Sequence, residues 1–255
     1  MKKVNIQGFD MWLEPSKPGI SRELYLKGGR EHAFSWILNK EVQGCSVGYD
    51  VGGNIGYTTL PIAKACEKVY AFEPDARSRR LLKLNLLLND FAHVEVYKEA
   101  VWNHNLGVHF NLSSRPNQSS VTDKGVKVPS VTLDTFAKFS DTGIFVKADI
   151  EGAEIEMLEG AKKLLDCKNV KILMELHGCN YRKSWRLLRD YGFWLKYVVN
   201  AKGMTGHFEE HGFGPIVTFP NYQRAVYEAL PLMEDWCSEK IKGKKIVRSV
   251  LWVKD

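Results

Sequence analysis

No apolar run in this chain approaches the ~20 residues that a membrane-spanning helix requires. Lys2 and Lys3 are not followed by an apolar stretch of the kind that directs secretion, so a cytoplasmic protein is expected. The five cysteines (Cys45, Cys66, Cys167, Cys179, Cys237) are odd in number, scattered and free of C-x-x-C spacing. That argues against a disulfide frame or a zinc site and for reduced thiols. Neither charge sign dominates, since the formal net charge is only +6 over 255 residues. Basic clusters at Arg77/Arg79/Arg80, Arg182–Arg189 and Lys240–Lys245 read first as solvated surface, with a polyanionic partner as the lesser alternative. No internal repeat is present. What remains is a chain with 44% hydrophobic and 26% charged residues, enough for one large α/β domain.

The first 29 residues carry Pro15, Pro18, Gly28 and Gly29 and read as a loop-rich arm, with a single domain over residues 30–255. Arg30–Lys40 has Ala33, Trp36 and Ile37 at helical spacing. From there strands and helices alternate. Strands are expected at Ser46–Val51, Val69–Glu73, Val94–Val101, Ile144–Ile150, Val170–Leu176, Phe193–Val199 and Ile246–Val253. Helices are expected at Tyr57–Cys66, after Asp75 along Leu81, Leu84 and Leu88, at Gly152–Leu165, and at Tyr181–Tyr191. Gly107–Leu112 and Val126–Leu133 read as shorter strands around a polar loop. This alternation predicts an α/β fold with a doubly wound, mostly parallel sheet of seven strands and helices on both faces.

The most informative segment is Ser46–Thr59, SVGYDVGGNIGYTT, followed by VYAFEPD. An apolar run, a glycine turn, a helix start and a second apolar run ending in carboxylates make the start of a βαβ unit with a nucleoside-binding turn. Gly52, Gly53 and Gly56 suit backbone that approaches a ligand closely or adopts positive φ. Glu73 lies 21 residues beyond Gly52, near the ~20-residue offset at which an acidic group meets ribose hydroxyls. The turn is D-x-G-x-x-x-G, not the dinucleotide G-x-G-x-x-G, and Asp50 lies inside it. A carboxylate there would repel a pyrophosphate and suits a cofactor with ammonium and sulfonium charges, which favours S-adenosylmethionine over NAD. Ligands of open α/β sheets bind beyond the carboxyl ends of the strands. Those ends carry Asp50, Gly52, Asn54 and Gly56, then Glu73 and Asp75, and then Glu99, Ala100 and Val101 as a ledge for adenine. The later ends carry Asp149 and Glu151, then Glu175 and His177. Asp149 or Glu151 as a simple helix cap is the competing reading.

The run Val146–Ala161, VKADIEGAEIEMLEGA, resembles the signature of FkbM-type methyltransferases. It follows DVGGNIGYTT and FEPD in that family's order and precedes ILMELHG, and the arm GISREL…GGREH is similar to the family's lead-in segment. The resemblance covers roughly residues 20–200. It implies the class I methyltransferase (Rossmann-like) fold, S-adenosylmethionine as donor, and O-methylation of a hydroxyl, often on a sugar or secondary metabolite. By position, Asp50, Gly52, Asn54, Gly56, Glu73, Pro74 and Ala100 resemble donor-site residues, and Asp149, Glu151 and Glu175 the rim of the reaction centre.

Methyl transfer to a hydroxyl needs a base within hydrogen-bond reach, and Asp149, Glu175 and His177 are the candidates. Asp149 has the family match and His177 the better unperturbed pKa. A Mg²⁺ ion held by Asp149, Glu151 and Glu175 is an option that is not favoured, and the His207–His211 segment lacks a helical frame for a metal. The low-periodicity stretch Asn200–Tyr222 is a candidate substrate lid. A small-molecule or glycan acceptor is the leading expectation. A nucleic-acid acceptor is less favoured, since no N-P-P-Y or D-P-P-Y tetrapeptide of amino-group methylation and no RNA-binding appendage is seen. A catalytically idle donor-binding module is the third reading.

Overall fold

The computed structural model describes residues 1–111, 120–121, 125–136, 143–177, 180–199, 208–209, 216–218, 240–241, 244–245 and 247–254. Strands β1 (Lys2–Ile6) and β2 (Phe9–Leu13) form an antiparallel hairpin, followed by helices α1 (Ile20–Lys27) and α2 (His32–Glu41). Then come β3 (Val47–Val51), α3 (Thr59–Ala65), β4 (Lys68–Phe72), α4 (Ala76–Leu88) and β5 (Val94–Tyr97). Short strands β6 (Ala100–Val101), β7 (Val108–Asn111), β8 (Ser120–Val121), β9 (Val126–Val128) and β10 (Ser130–Val131) lead to α5 (Leu133–Phe136). The second half has β11 (Ile144–Ala148), α6 (Glu154–Glu159), α7 (Lys162–Asp166), β12 (Val170–His177), α8 (Asn180–Asp190) and β13 (Trp194–Val199). It ends with β14 (Phe208–Glu209), β15 (Ile216–Thr218), the small pair β16 (Lys240–Ile241) and β17 (Lys244–Lys245), and β18 (Val247–Lys254).

The central sheet has the order β14-β15-β13-β18-β12-β11-β3-β4-β5. Strands β5, β4, β3, β11 and β12 are parallel neighbours, while β18 runs antiparallel between β12 and β13. The expected seven strands are all present, and β15 and β14 extend the sheet at the β13 edge. The order reverses at β3 and β11. That reversal opens a crevice at their carboxyl ends, where open sheets bind ligands.

Parallel strands buried on both faces alternate their side chains between two cores. Tyr49, Phe72, Val146 and Trp252 pack on one face, with α6, α7 and α8. Phe145, Leu173 and Leu251 pack on the other, against Ala33, Phe34 and Ile37 of α2 and Ile62 of α3.

Three segments differ from the sequence reading. The first 29 residues are not a loop-rich arm. Pro15 and Pro18 fall in the connection after β2, where no ladder donor is needed, and the hairpin packs on α4. Fully buried Asn85 accepts the Trp12 N–H at 2.6 Å and donates to the Ile55 carbonyl at 2.8 Å, joining hairpin, helix and glycine turn. The expected strand Val94–Val101 divides. Ala100 and Val101 leave the edge of the sheet and pair with β10, which costs no interior ladder. The expected helix Gly152–Leu165 breaks at Gly160, where a Cβ would lie 2.2 Å from the Trp102 carbonyl oxygen.

Candidate active site

A cleft of about 250 Å³ lies at the carboxyl ends of the parallel strands, centred on the β3–β11 switch. On its nucleoside side, β3 turns at Gly52 and Gly53, whose N–H groups both donate to the Phe72 carbonyl at 3.0 Å. Gly52 has φ +79°, and a Cβ there would stand 2.2 Å from the Asp149 carbonyl oxygen. Glycine at this position therefore serves close packing of the chain on itself, together with a left-handed backbone. Gly56 is different. A Cβ would meet nothing nearer than 3.7 Å, and it is φ +96° that demands glycine, not crowding.

The carboxylate of Glu73 accepts the Asn54 N–H and the Asp75 N–H, each at 2.8 Å. Arg79 donates to the carbonyls of Glu73 and Pro74 and fixes this rim. Burial pushes the Glu73 carboxyl up to about 7, against the backbone N–H bonds that favour its charged form. The folded chain thus holds a proton on Glu73 between about pH 4.5 and 7 that the unfolded chain has lost. Its contribution to stability is greatest at acid pH and is lost as pH rises through 7, a change of about 3 kcal/mol. Urea unfolding at pH 5 and pH 8 checks this. Glu73→Gln is expected to flatten that pH dependence. A parent and variant that respond alike to pH would refute it.

At the switch itself, Asp50 and Lys147 are register partners on β3 and β11. Both are buried, and the Lys147 Nζ stands 3.0 Å from Asp50 Oδ1. Asp50 Oδ2 accepts the hydroxyls of Thr58 at 3.0 Å and Thr59 at 2.6 Å. Lys147 also donates to the Gly52 carbonyl at 2.8 Å. Burial opposes the Lys147 charge, but Asp50 foremost, and then Asp149, hold its pKa above the ordinary lysine value.

On the far side of the cleft are Asp149, Glu151 and Glu175. The Asp149 N–H donates to the Val51 carbonyl at 3.1 Å, which sets its side chain at the end of β11. Glu151 adopts φ +51°, a conformation costly for a non-glycine residue and concentrated at functional sites. Neither residue caps α6. The N-cap is Ala153 without a side-chain bond, and Glu154 accepts the Gly152 N–H instead.

Most sequence-derived candidates meet in this cleft: Gly52, Gly53, Asn54, Glu73, Pro74, Glu99, Ala100, Val101, Asp149 and Glu175 line it. Two of the candidate carboxylates bond within the chain and do not line the cleft. Asp50 is committed to Lys147 and the two threonines, so it faces no ligand charge directly. Asp75 is the N-cap of α4, bonded to the Arg77 N–H and guanidinium. Gly56 shapes the turn without lining the cleft. The side chain of His177 and nearly all of Asn200–Tyr222 fall outside the described residues. Among the described residues no group of three or more His, Cys, Asp or Glu is placed to hold a metal ion.

Sequence reasoning missed the contribution from the segments before β3. Arg30, Glu31 and Ile20 line the cleft, as do Tyr57 and Thr58 after the glycine turn and Phe110 and Val121 from β7 and β8. The pair of glycines followed by adjacent opposite charges, GGRE, was the available signal for Arg30 and Glu31.

Comparison with known proteins follows the same lines. The family model for the methyltransferase FkbM domain matches residues 50–213, well over half of the chain. No curated protein matches. Among solved structures, methyltransferase FkbM from Methylobacillus flagellatus is 20% identical over 58% of this chain, with a TM-score of 0.42. The chain spans only 37% of the length of that protein. Precorrin 8W decarboxylase from Methanobacterium thermoautotrophicum is 14% identical, covering 96% of this chain and 97% of that one, at TM-score 0.49. The M. jannaschii tRNA m1G37 methyltransferase is 13% identical over 99% of this chain and 56% of that one, at TM-score 0.48. From the family match over the glycine turn, the acidic strand ends and the VKADIEGAE segment, the chain belongs to the FkbM family of methyltransferases.

Proposed function

We propose that this protein is an S-adenosylmethionine-dependent O-methyltransferase acting on a hydroxyl of a sugar, glycan or small metabolite. The observation that carries the reading is one cleft holding both a nucleoside-type rim at Glu73 and the strand-end carboxylate Asp149. The residues fit the donor. Asn54 lines the cleft, and its side-chain oxygen Oδ1 is buried without a hydrogen-bond partner within the protein. Glu73 offers an acceptor to ribose hydroxyls, and Ala100 and Val101 form a buried apolar ledge beside it. Bound S-adenosylmethionine supplies an electrophilic methyl group on a positively charged sulfur.

The chain's own residues then do three things. Lys147 and Asp50 hold the turn through the Gly52 carbonyl and the threonine hydroxyls. Asp149 orients the acceptor hydroxyl and takes its proton as the oxygen gains the methyl group, then passes that proton to water. Glu151 and Glu175 present further acceptors for neighbouring hydroxyls. Carboxylates also favour a neutral polyol over a polyanion: Glu31, Glu73, Glu99, Asp149, Glu151 and Glu175 line the cleft against Arg30 and Lys147. No helix among the described residues is long and apolar enough to cross a membrane, and Cys45 and Cys66 are free thiols, in keeping with a proposed cytoplasmic location.

Two measurements test the reading. Incubating cell extract fractions with donor labelled in the methyl group should place label on a carbohydrate or small metabolite; label found only on nucleic acid overturns the acceptor class. Glu73→Ala should weaken donor binding roughly 10- to 150-fold by removing charge-assisted bonds to ribose. An unchanged dissociation constant in a folded variant would remove the ribose role.

A further inference from the structure

The Arg30–Glu31 dipeptide, ahead of α2, is held in place by several hydrogen bonds. The Tyr57 hydroxyl accepts the Arg30 N–H at 3.3 Å and donates to the Arg30 carbonyl at 3.1 Å. Ser35 Oγ donates to the same carbonyl at 3.2 Å. The backbone is thus gripped from the glycine turn on one side and from α2 on the other. Glu31 stands at the N-cap position of α2 in the left-handed conformation, φ 48° and ψ 51°, yet makes no side-chain cap bond. Its carboxylate pairs instead with the guanidinium of Arg30, and both side chains face the cleft. Burial raises the Glu31 carboxyl foremost; Arg30 opposes that rise and Asp149 adds to it, so the pair lies within electrostatic reach of the β11 end.

Sheet order sets the direction of the cleft. Its nucleoside rim belongs to β4 and the segment after β5, on one side of β3, and Asp149 belongs to β11, on the other. A donor that places its nucleoside at Glu73 carries, beyond its sulfur, an amino-acid head with adjacent carboxylate and ammonium. Arg30 and Glu31 present the complementary charges in adjacent positions. We propose that Arg30 and Glu31 form the subsite for the zwitterionic amino-acid head of the methyl donor. Without a donor the two side chains satisfy each other; with one, Arg30 engages the carboxylate and Glu31 the ammonium, so each charge keeps an opposite partner. The strain at Glu31 is then the cost of aiming its carboxylate at the ligand instead of at the helix. The inference rests on S-adenosylmethionine being the donor, and it is independent of the acceptor.

Calorimetric titration with two neutral-sulfur probes separates the head from the nucleoside. S-adenosylhomocysteine carries the amino-acid head, and 5′-methylthioadenosine lacks it. The parent should bind the first much more tightly. Arg30→Met and the near-isosteric Glu31→Gln should each weaken S-adenosylhomocysteine by roughly 10- to 100-fold while leaving methylthioadenosine within about twofold. Equal losses on both probes would mean a distorted cleft and overturn the subsite. Unchanged S-adenosylhomocysteine affinity in either variant would hand that residue to the acceptor or to the fold. A parent that binds neither probe overturns the donor assignment, and the subsite with it.

Discussion

Asp149→Asn is expected to lower methyl transfer by roughly 10²–10⁴-fold while donor affinity stays within a few-fold. Asparagine keeps the size of the side chain and loses its basicity and charge. The residue ends an apolar parallel strand at the switch point, and its N–H is bonded to the Val51 carbonyl, so the carboxylate is set by the sheet and not by a flexible loop. Lys147 is held by Asp50, 3.0 Å away, so its ammonium is already paired. Single-turnover transfer of labelled methyl, paired with donor calorimetry, separates loss of chemistry from loss of binding. Glu175→Gln and His177→Ala serve as comparisons. A nearly active Asp149→Asn beside an inactive His177→Ala would move the base to the histidine, and an inactive Glu175→Gln would move it to β12.

Lys147→Met should destabilise the fold by about 3–5 kcal/mol, because it strands the buried Asp50 carboxylate with only the two threonine hydroxyls. For a chain of this length that corresponds to a fall in melting temperature of about 10 °C. Asp50→Asn alone should cost a comparable amount by stranding the ammonium. The double variant Asp50→Leu with Lys147→Met removes both charges and should recover most of the loss, since a buried ion pair can often be replaced by apolar groups without net cost. It should still bind donor poorly, because Lys147 also ties down the Gly52 carbonyl that shapes the turn. Thermal melts and donor titrations of the three variants check both statements. A single Lys147→Met variant as stable as the parent would show that the Asp50 charge is relieved in another way.

Local pattern made much of this protein legible before any coordinates. Mostly apolar runs such as Val170–Leu176, of strand length and flanked by turn residues, read as buried strands, and their alternation with helices led to the doubly wound sheet. The glycine turn and Glu73 were readable because the backbone constraints that they satisfy are local and tied to residue type. The pairing of Asp50 was hidden for the opposite reason. Within the turn its carboxylate suggested a ligand charge, whereas its actual partner, Lys147, is 97 residues away and meets it only through parallel register. Asp75 was likewise claimed by its own helix through a bond two residues distant. Arg30 and Glu31 lie outside the strand ends where pattern directs attention, and only the grip of Tyr57 and Ser35 brings them over the cleft. Residue type and spacing thus determined which strands and turns form, because backbone sterics and burial act over a few residues. Which charges face a ligand and which neutralise each other was decided by the tertiary structure, because electrostatic pairing depends on distance through space and on exclusion from water.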